Sequence, residues 1–217
     1  MLVVLACWSV QGGVGTTVVV GALAVAVVSR GDEPLVVDLG GDVSALFGVD
    51  DPPWPGLAGW LGAGPDVPDD ALVRLEGAVA PGLSVLPRGH GALVPGRVEE
   101  LAAALRADPR PVLIDAGVVV PGSTGALLTA RADRSILVTR ACPLALRRLA
   151  SLPLPPDGVV VVRDPRRAVT WPEVEAACGA PVLATVDIDP AVAAAVDAGF
   201  TRRSLPRQFL RVIGGLA

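Results

Sequence analysis

Residues 2–17 read Leu2-Val3-Val4-Leu5-Ala6-Cys7-Trp8-Ser9-Val10-Gln11-Gly12-Gly13-Val14-Gly15-Thr16-Thr17, and the apolar run Val18 to Val28 follows at once. Leu2 to Cys7 is continuously apolar, the mark of a strand buried on both faces. The later run is ambiguous by propensity, because Val18, Val19 and Val20 favour strands. Its 11 residues, with Ala22, Leu23 and Ala24 among them, exceed a usual strand, so a helix over Thr17 to Ser29 is predicted. Between the two, Gly12, Gly13 and Gly15 let the backbone turn tightly and aim N–H groups at an anion, with the positive end of the helix dipole behind them. A bare G-G-x-G string is weak. Set between a buried strand and a helix, it reads as a phosphate-binding loop. The other reading of the same glycines is a closely packed turn with positive φ and no ligand.

Outward from this segment the pattern repeats. Strands are predicted at Leu2 to Cys7, Pro34 to Asp38, Leu83 to Leu86, Pro111 to Asp115, Arg134 to Val138, Gly158 to Val162 and Pro181 to Val186. Helices alternate with them at Pro95 to Arg106, Thr124 to Ala132, Pro143 to Ser151, Trp171 to Cys178, Pro190 to Ala198 and Ser204 to Leu216. Most strands are continuous rather than alternating in hydropathy, so the expected fold is α/β: a three-layer, twisted, mostly parallel sheet flanked by helices. Asp51 to Pro68, with Pro52, Pro53, Pro55, Pro65 and Pro68, reads as an irregular excursion holding a short helix around Leu57 to Leu61. At 217 residues, a single domain over 1–217 is expected.

Composition narrows the chemistry. Hydrophobic residues make up 52% and charged residues 18%, which rules out a disordered chain. All 18 basic residues are Arg and none is Lys; the net charge is −4. Cys7, Cys142 and Cys178 are widely spaced and form no C-x-x-C pair, which suits reduced thiols better than zinc or a redox couple. The apolar run to Val28 is well short of the roughly 20 residues that span a bilayer, and the first Arg is Arg30, so neither a transmembrane segment nor a signal peptide is expected. A cytoplasmic location follows as the expectation.

The loop resembles the deviant Walker A segment of the MinD/ParA family of P-loop ATPases, whose pattern is K-G-G-x-G-K-[ST]. The likeness continues: Leu35-Val36-Val37-Asp38-Leu39-Gly40-Gly41-Asp42 resembles the family's second strand and D-x-D switch, and Val112-Leu113-Ile114-Asp115 its Walker B strand. Ala132 to Val138, and Gly179 to Ala184 with Asp189-Pro190 and Ala198-Gly199, resemble later parts. The style of Cys7-Trp8-Ser9 and of Gly82 to Pro87 is similar to the actinobacterial pilus-positioning branch, CpaE and TadZ. The resemblance implies that Gln11, Gly12, Gly13, Val14, Gly15, Thr16, Thr17, Asp38 and Asp115 form a nucleotide site, that Thr17 and Asp115 hold Mg, and that ATP is the ligand.

It also exposes departures. The family's signature lysine falls on Gln11 and its Walker lysine on Thr16, so two cations that neutralise charge during phosphoryl transfer have no counterpart in the loop. The second switch acid falls on Gly40, and the adenine-contacting Asn on Val162 or Arg163. The expected function is therefore a degenerate MinD/ParA-like scaffold for spatial positioning or assembly, of a pilus or secretion apparatus, a septum or a chromosome, with weak or absent hydrolysis. Two alternatives stand beside it. One is a noncanonical ATPase using Thr17, Asp115, Mg and a partner's Arg; the other is a DNA- or membrane-associated module.

The second alternative rests on two groups, Arg163, Arg166 and Arg167 around Asp164, and Arg202, Arg203, Arg207 and Arg211, each of which also reads as a solvated face. Ser204 to Leu216 reads as the last core helix or as a basic amphipathic anchor on a membrane. His90, the one histidine, lies in a loop without a nucleophile partner and is taken as incidental. Protein partners, including a second copy of the chain, are expected.

Overall fold

The computed structural model describes residues 4–50, 55–64, 66–68, 70–201 and 203–216. Leu2 and Val3 of the predicted first strand, Pro52, Pro53 and Pro65 of the excursion, and Arg202 of the last arginine group lie outside the described residues. Eight strands form one sheet: β1 (Val4–Ser9), β2 (Leu35–Asp38), β3 (Gly77–Ala80), β4 (Leu83–Leu86), β5 (Val112–Val118), β6 (Arg134–Arg140), β7 (Gly158–Arg163) and β8 (Val182–Asp187). Their order is β3-β4-β2-β5-β1-β6-β7-β8. Every neighbouring pair is parallel except β3 with β4.

The connections are helical: α1 (Thr16–Val28), α2 (Val43–Leu46), α3 (Gly56–Leu61), α4 (Val98–Ala107), α5 (Thr124–Thr129), α6 (Pro143–Leu149), α7 (Trp171–Cys178), α8 (Pro190–Asp197) and α9 (Arg207–Gly214). Successive strand residues point to opposite faces, so each apolar run feeds two cores. Leu5, Cys7, Val36, Leu113, Ile136 and Val160 face α1 and the Phe209 and Ile213 side of α9. Ala6, Trp8, Val37, Ile114, Leu137 and Val161 face the layer that holds Leu101, Leu105, Leu149 and Val174. This is the expected three-layer arrangement.

Several boundaries differ from the sequence reading. β3 was not predicted: it is a short, half-exposed Gly-Ala-Val-Ala run pairing antiparallel at the sheet edge, with none of the β-branched density of the central strands. The four-residue α2 was not predicted either. The helix after the loop starts at Thr16 rather than Thr17, because Gly15 in the left-handed region (φ 96°) is the residue that ends the loop. That helix is buried around most of its circumference, which settles the valine ambiguity: its β-branched residues pack between the sheet and α9. At Gly21 a Cβ would stand 2.4 Å from Leu46 Cδ2, so glycine lets α2 close on α1.

The terminal helix covers Arg207–Gly214, shorter than Ser204 to Leu216. Phe209, Ile213 and Leu216 are spent in the core, so the core-helix reading describes it. Among the described residues no helix is long and apolar enough to cross a membrane.

Trp8 ties the two halves of the sheet together. It is fully buried, and its indole Nε1 donates to Ser135 Oγ at 2.9 Å on the adjacent strand β6. Ser135→Ala strands that N–H in a dry layer and is expected to lower unfolding stability by about 1–3 kcal/mol. Urea denaturation checks this; a midpoint equal to wild type would mean that the hydrogen bond contributes nothing.

Candidate functional site

β1 runs between β5 and β6 with Cys7 level with Asp115, so the residues after Ser9 emerge at the edge of the sheet where all the parallel strands end. The Ser9 hydroxyl fixes this exit by sharing its one proton between the carbonyls of Gln11 (3.0 Å) and Gly117 (3.2 Å). Gly13 (φ 70°) and Gly15 (φ 96°) both take the left-handed conformation, yet a Cβ on either would meet nothing within 4 Å. The glycines are therefore required by backbone shape, and the space above the loop is open, contrary to a closely packed turn. Val14 and Thr16 are buried beneath the loop, while Gly12 and Gly13 are exposed.

Two cations that the sequence reading did not find approach this loop from β6 and α6. Arg140 Nη2 donates to the Gly13 carbonyl at 2.5 Å, and Arg148 Nη1 donates to Gln11 Oε1 at 2.9 Å. Gln11 and the loop carbonyls thus carry guanidinium partners from residues more than a hundred positions away. One signal could have found Arg140: it ends a strand beside β1, on the edge where open α/β sheets bind ligands.

The carboxylates lie side by side. Asp38 ends β2 level with Asp115 of β5. Asp38 is 1% exposed and accepts from the N–H of Gly41 at 2.6 Å and of Val43 at 3.0 Å, so one oxygen holds the switch turn and the other the start of α2. Burial, with further repulsion from Asp115 and Asp42, pushes its carboxyl up to about 7 despite those two N–H donors. Asp115 is also held above the usual carboxylate range, chiefly by burial, with the Thr17 hydroxyl and the Gly117 N–H opposing.

Asp115 Oδ1 accepts from Gly117 at 3.0 Å, whereas Oδ2 is buried without a hydrogen-bond partner. A Cβ on Gly40 would lie 3.4 Å from that oxygen and 3.5 Å from Asp38 Oδ1. A second switch acid there would add a third carboxylate to the pair. Arg88 flanks the same turn, donating to the Leu39 carbonyl at 2.9 Å.

These residues fit a phosphate-bound Mg ion. The orphaned Asp115 oxygen and the neighbouring Thr17 hydroxyl are hard oxygen donors of the kind Mg takes. Among the described residues no group of three or more His, Cys, Asp or Glu could hold a metal alone. The ion would therefore depend on ligand phosphates and water, which is how Mg is usually bound. Beside the loop, a cavity of about 320 Å3 is walled by Gly13, Gly15, Arg140, Val162 and Ile188.

Other candidates stand apart. Arg163 is paired with Asp187 (2.7 and 3.1 Å), and Arg166 and Arg167 with Asp164 at 3.0 and 3.9 Å. Each arginine of that group faces a carboxylate, with Asp164 shared by two of them. His90 is exposed in its loop, and Cys7, Cys142 and Cys178 are all free thiols.

The Asp38 environment makes stability depend on pH in a defined direction. Its folded value is raised, so between about pH 4 and 7 the native state holds a proton that the unfolded chain has released. The Asp38 contribution therefore falls as pH rises through this window and levels off above 7, by an amount on the order of 4 kcal/mol. Asp38→Asn cannot titrate. The wild-type minus Asp38→Asn difference in unfolding free energy should shrink from pH 4 to 7, whereas a difference flat with pH would contradict the assignment.

Comparison with known proteins places this geometry. A family model described as cellulose biosynthesis protein BcsQ matches residues 2–171. No curated protein sequence matches the chain. Among solved structures, a ParA family ATPase from Chlorobium tepidum superposes with a TM-score of 0.81 at 19% identity, covering 99% of this chain and 96% of that one. The septum site-determining protein MinD of Pyrococcus horikoshii, complexed with Mg-ADP, gives 0.78 at 20% identity over 100% and 94%. The MinC:MinD cell division complex of Aquifex aeolicus gives 0.74 at 15% identity over 98% and 95%. At these identities the solved structures speak for the fold. The family model spans most of the chain, and with it the glycine-rich loop, both buried acids and Arg140: the chain belongs to the BcsQ family and has the fold of the MinD/ParA P-loop ATPases.

Proposed function

We propose that the chain is a nucleotide-binding positioning or assembly module that holds Mg-ATP in the 11–17 loop and hydrolyses it slowly. The observation that carries this reading is the replacement of two lysines within the loop by two arginines docked on its flank, Arg140 on Gly13 and Arg148 on Gln11. The loop N–H groups and the start of α1 would cradle the phosphates. Arg140 would supply positive charge, and Thr17 with Asp115 would hold the ion, which contributes charge neutralisation across the phosphates. Asp38 is occupied by backbone N–H groups, and glycine stands at position 40. The exposed Asp42 is the carboxylate that remains at the switch, two residues beyond the position of the second acid. Binding without efficient turnover suits a component whose occupancy, rather than its flux, carries the signal.

The biology follows from relatives. MinD appears in a complex with MinC, and the matched family is described by cellulose biosynthesis. We therefore favour a positioning role in polysaccharide biosynthesis over one at a pilus, acting through protein partners or a second copy of the chain.

Equilibrium titration with Mg-ATP, alongside a phosphate-release assay, tests the proposal. Binding with little release is expected. Arg140→Ala should weaken binding roughly 10-fold or more, the loss typical of a charged hydrogen bond. Thr16→Lys restores a cation inside the loop and should raise phosphate release at least about 10-fold, since one positioned charge is commonly worth 10²–10³ in rate. Brisk turnover by the wild-type chain, abolished by Thr17→Ala, would overturn the slow-hydrolysis reading. Absence of binding would overturn the nucleotide itself.

A further inference from the structure

The helix that begins at the loop ends at a second, chemically different site. Over its 13 residues α1 spans roughly 20 Å, and beyond Val28 it meets α9 across a cavity of about 790 Å3. Arg30, Arg203, Arg207 and Arg211 line this cavity, Leu205 and Leu210 contribute apolar wall, and no Asp or Glu takes part. Arg30 donates to the Gly214 carbonyl. Arg203, Arg207 and Arg211 have no ion pair or hydrogen bond among the described residues, unlike the 163–167 group, whose arginines all face carboxylates.

Arg207 and Arg211 are one helical turn apart on the same face of α9, an arrangement of like charges that weakens a helix. In a chain of net charge −4, carboxylates to relieve them are plentiful elsewhere. Among the described residues lining this cleft none is supplied.

We infer that this cleft between the end of α1 and α9 binds a small molecule carrying at least two phosphate groups on an apolar or aromatic body. Guanidinium forks match phosphate oxygens bidentately, and three unpartnered forks around one concavity suit more than one phosphate. The volume lies in the range of pockets that enclose a small ligand. The charges line a concavity floored by leucine, which favours a compact ligand over an extended polyanion laid across a surface. The site does not depend on the loop holding a nucleotide.

Calorimetric titration of the full chain with inorganic pyrophosphate in about 0.15 M salt reads the site directly. Saturable binding is expected, weakened at least 10-fold in the double variant Arg207→Gln/Arg211→Gln and unchanged in Arg140→Ala. A second phase, lost only in Arg140→Ala, would report the loop separately. Both arginines are exposed and of like charge, so the double variant should melt no lower than wild type. Equal affinity in wild type and double variant, or no binding at millimolar pyrophosphate, would overturn the inference. So would salt-sensitive retention on duplex DNA or phosphatidylglycerol vesicles that millimolar pyrophosphate does not compete away.

Discussion

Asp38 stands level with Asp115, and Asp115 level with Cys7, across the three central parallel strands β2, β5 and β1. Because these strands run the same way, everything that follows them emerges on one edge: the glycine-rich loop, the switch turn and both acids. The registry also creates an electrostatic difficulty. Two carboxylates taken out of water side by side each raise the cost of ionising the other. Asp38 is relieved by two backbone N–H groups and, in doing so, fixes the turn that starts α2. Asp115 is relieved on one oxygen only. An anionic floor of this kind next to a loop shaped for anions is coherent only when a proton or a cation lies between them. That requirement is set by the strand register.

Where the cations sit decides what the loop can do with a phosphate. A lysine within the loop rides on the first turn of α1 and can follow the transferring group. Arg140 and Arg148 reach the loop from the neighbouring β6 and α6 and are already engaged with its carbonyl and amide oxygens. Charge held on the flank would attract the phosphates of a nucleotide in the proposed site equally in the ground state and in the transition state. Binding that is uniform in this sense adds affinity without lowering the chemical barrier. The guanidinium plane, fixed by its own hydrogen bonds, is also a poorer follower of moving charge than a flexible ammonium.

Much of the fold was legible because the central strands are continuous apolar runs separated by helical stretches. The elements missed were those where tertiary context outweighs local signal: the half-exposed β3, with its small residues, and the single turn of α2. Strand ends were read short for a related reason. The run in β6 loses its apolar character after Val138, yet the backbone ladder carries on through Thr139 to Arg140. Stopping at Val138 hid the residue that touches Gly13. The loop residues and both acids were legible from spacing, since each is local to one strand end. Their arginine partners were not, because Gly13 with Arg140 and Gln11 with Arg148 are contacts between distant segments that only the strand order brings together. For Asp38 the geometry supplies backbone partners on both oxygens and leaves Asp115 the one with an open oxygen.

The same strand order determines how a change at the switch could be felt elsewhere. Asp38 holds the first N–H of α2, and α2 rests on α1 where Gly21 leaves no room even for a methyl group beside Leu46. A close-packed contact of this kind cannot yield gradually. If protonation or ion binding alters the Asp38 turn, α2 must either stay or move together with the face of α1 that it covers. That helix has the loop at its head and the arginine cleft at its foot, and α9 along its flank. One buried helix, apolar on nearly every side, thus touches both the loop and the cleft.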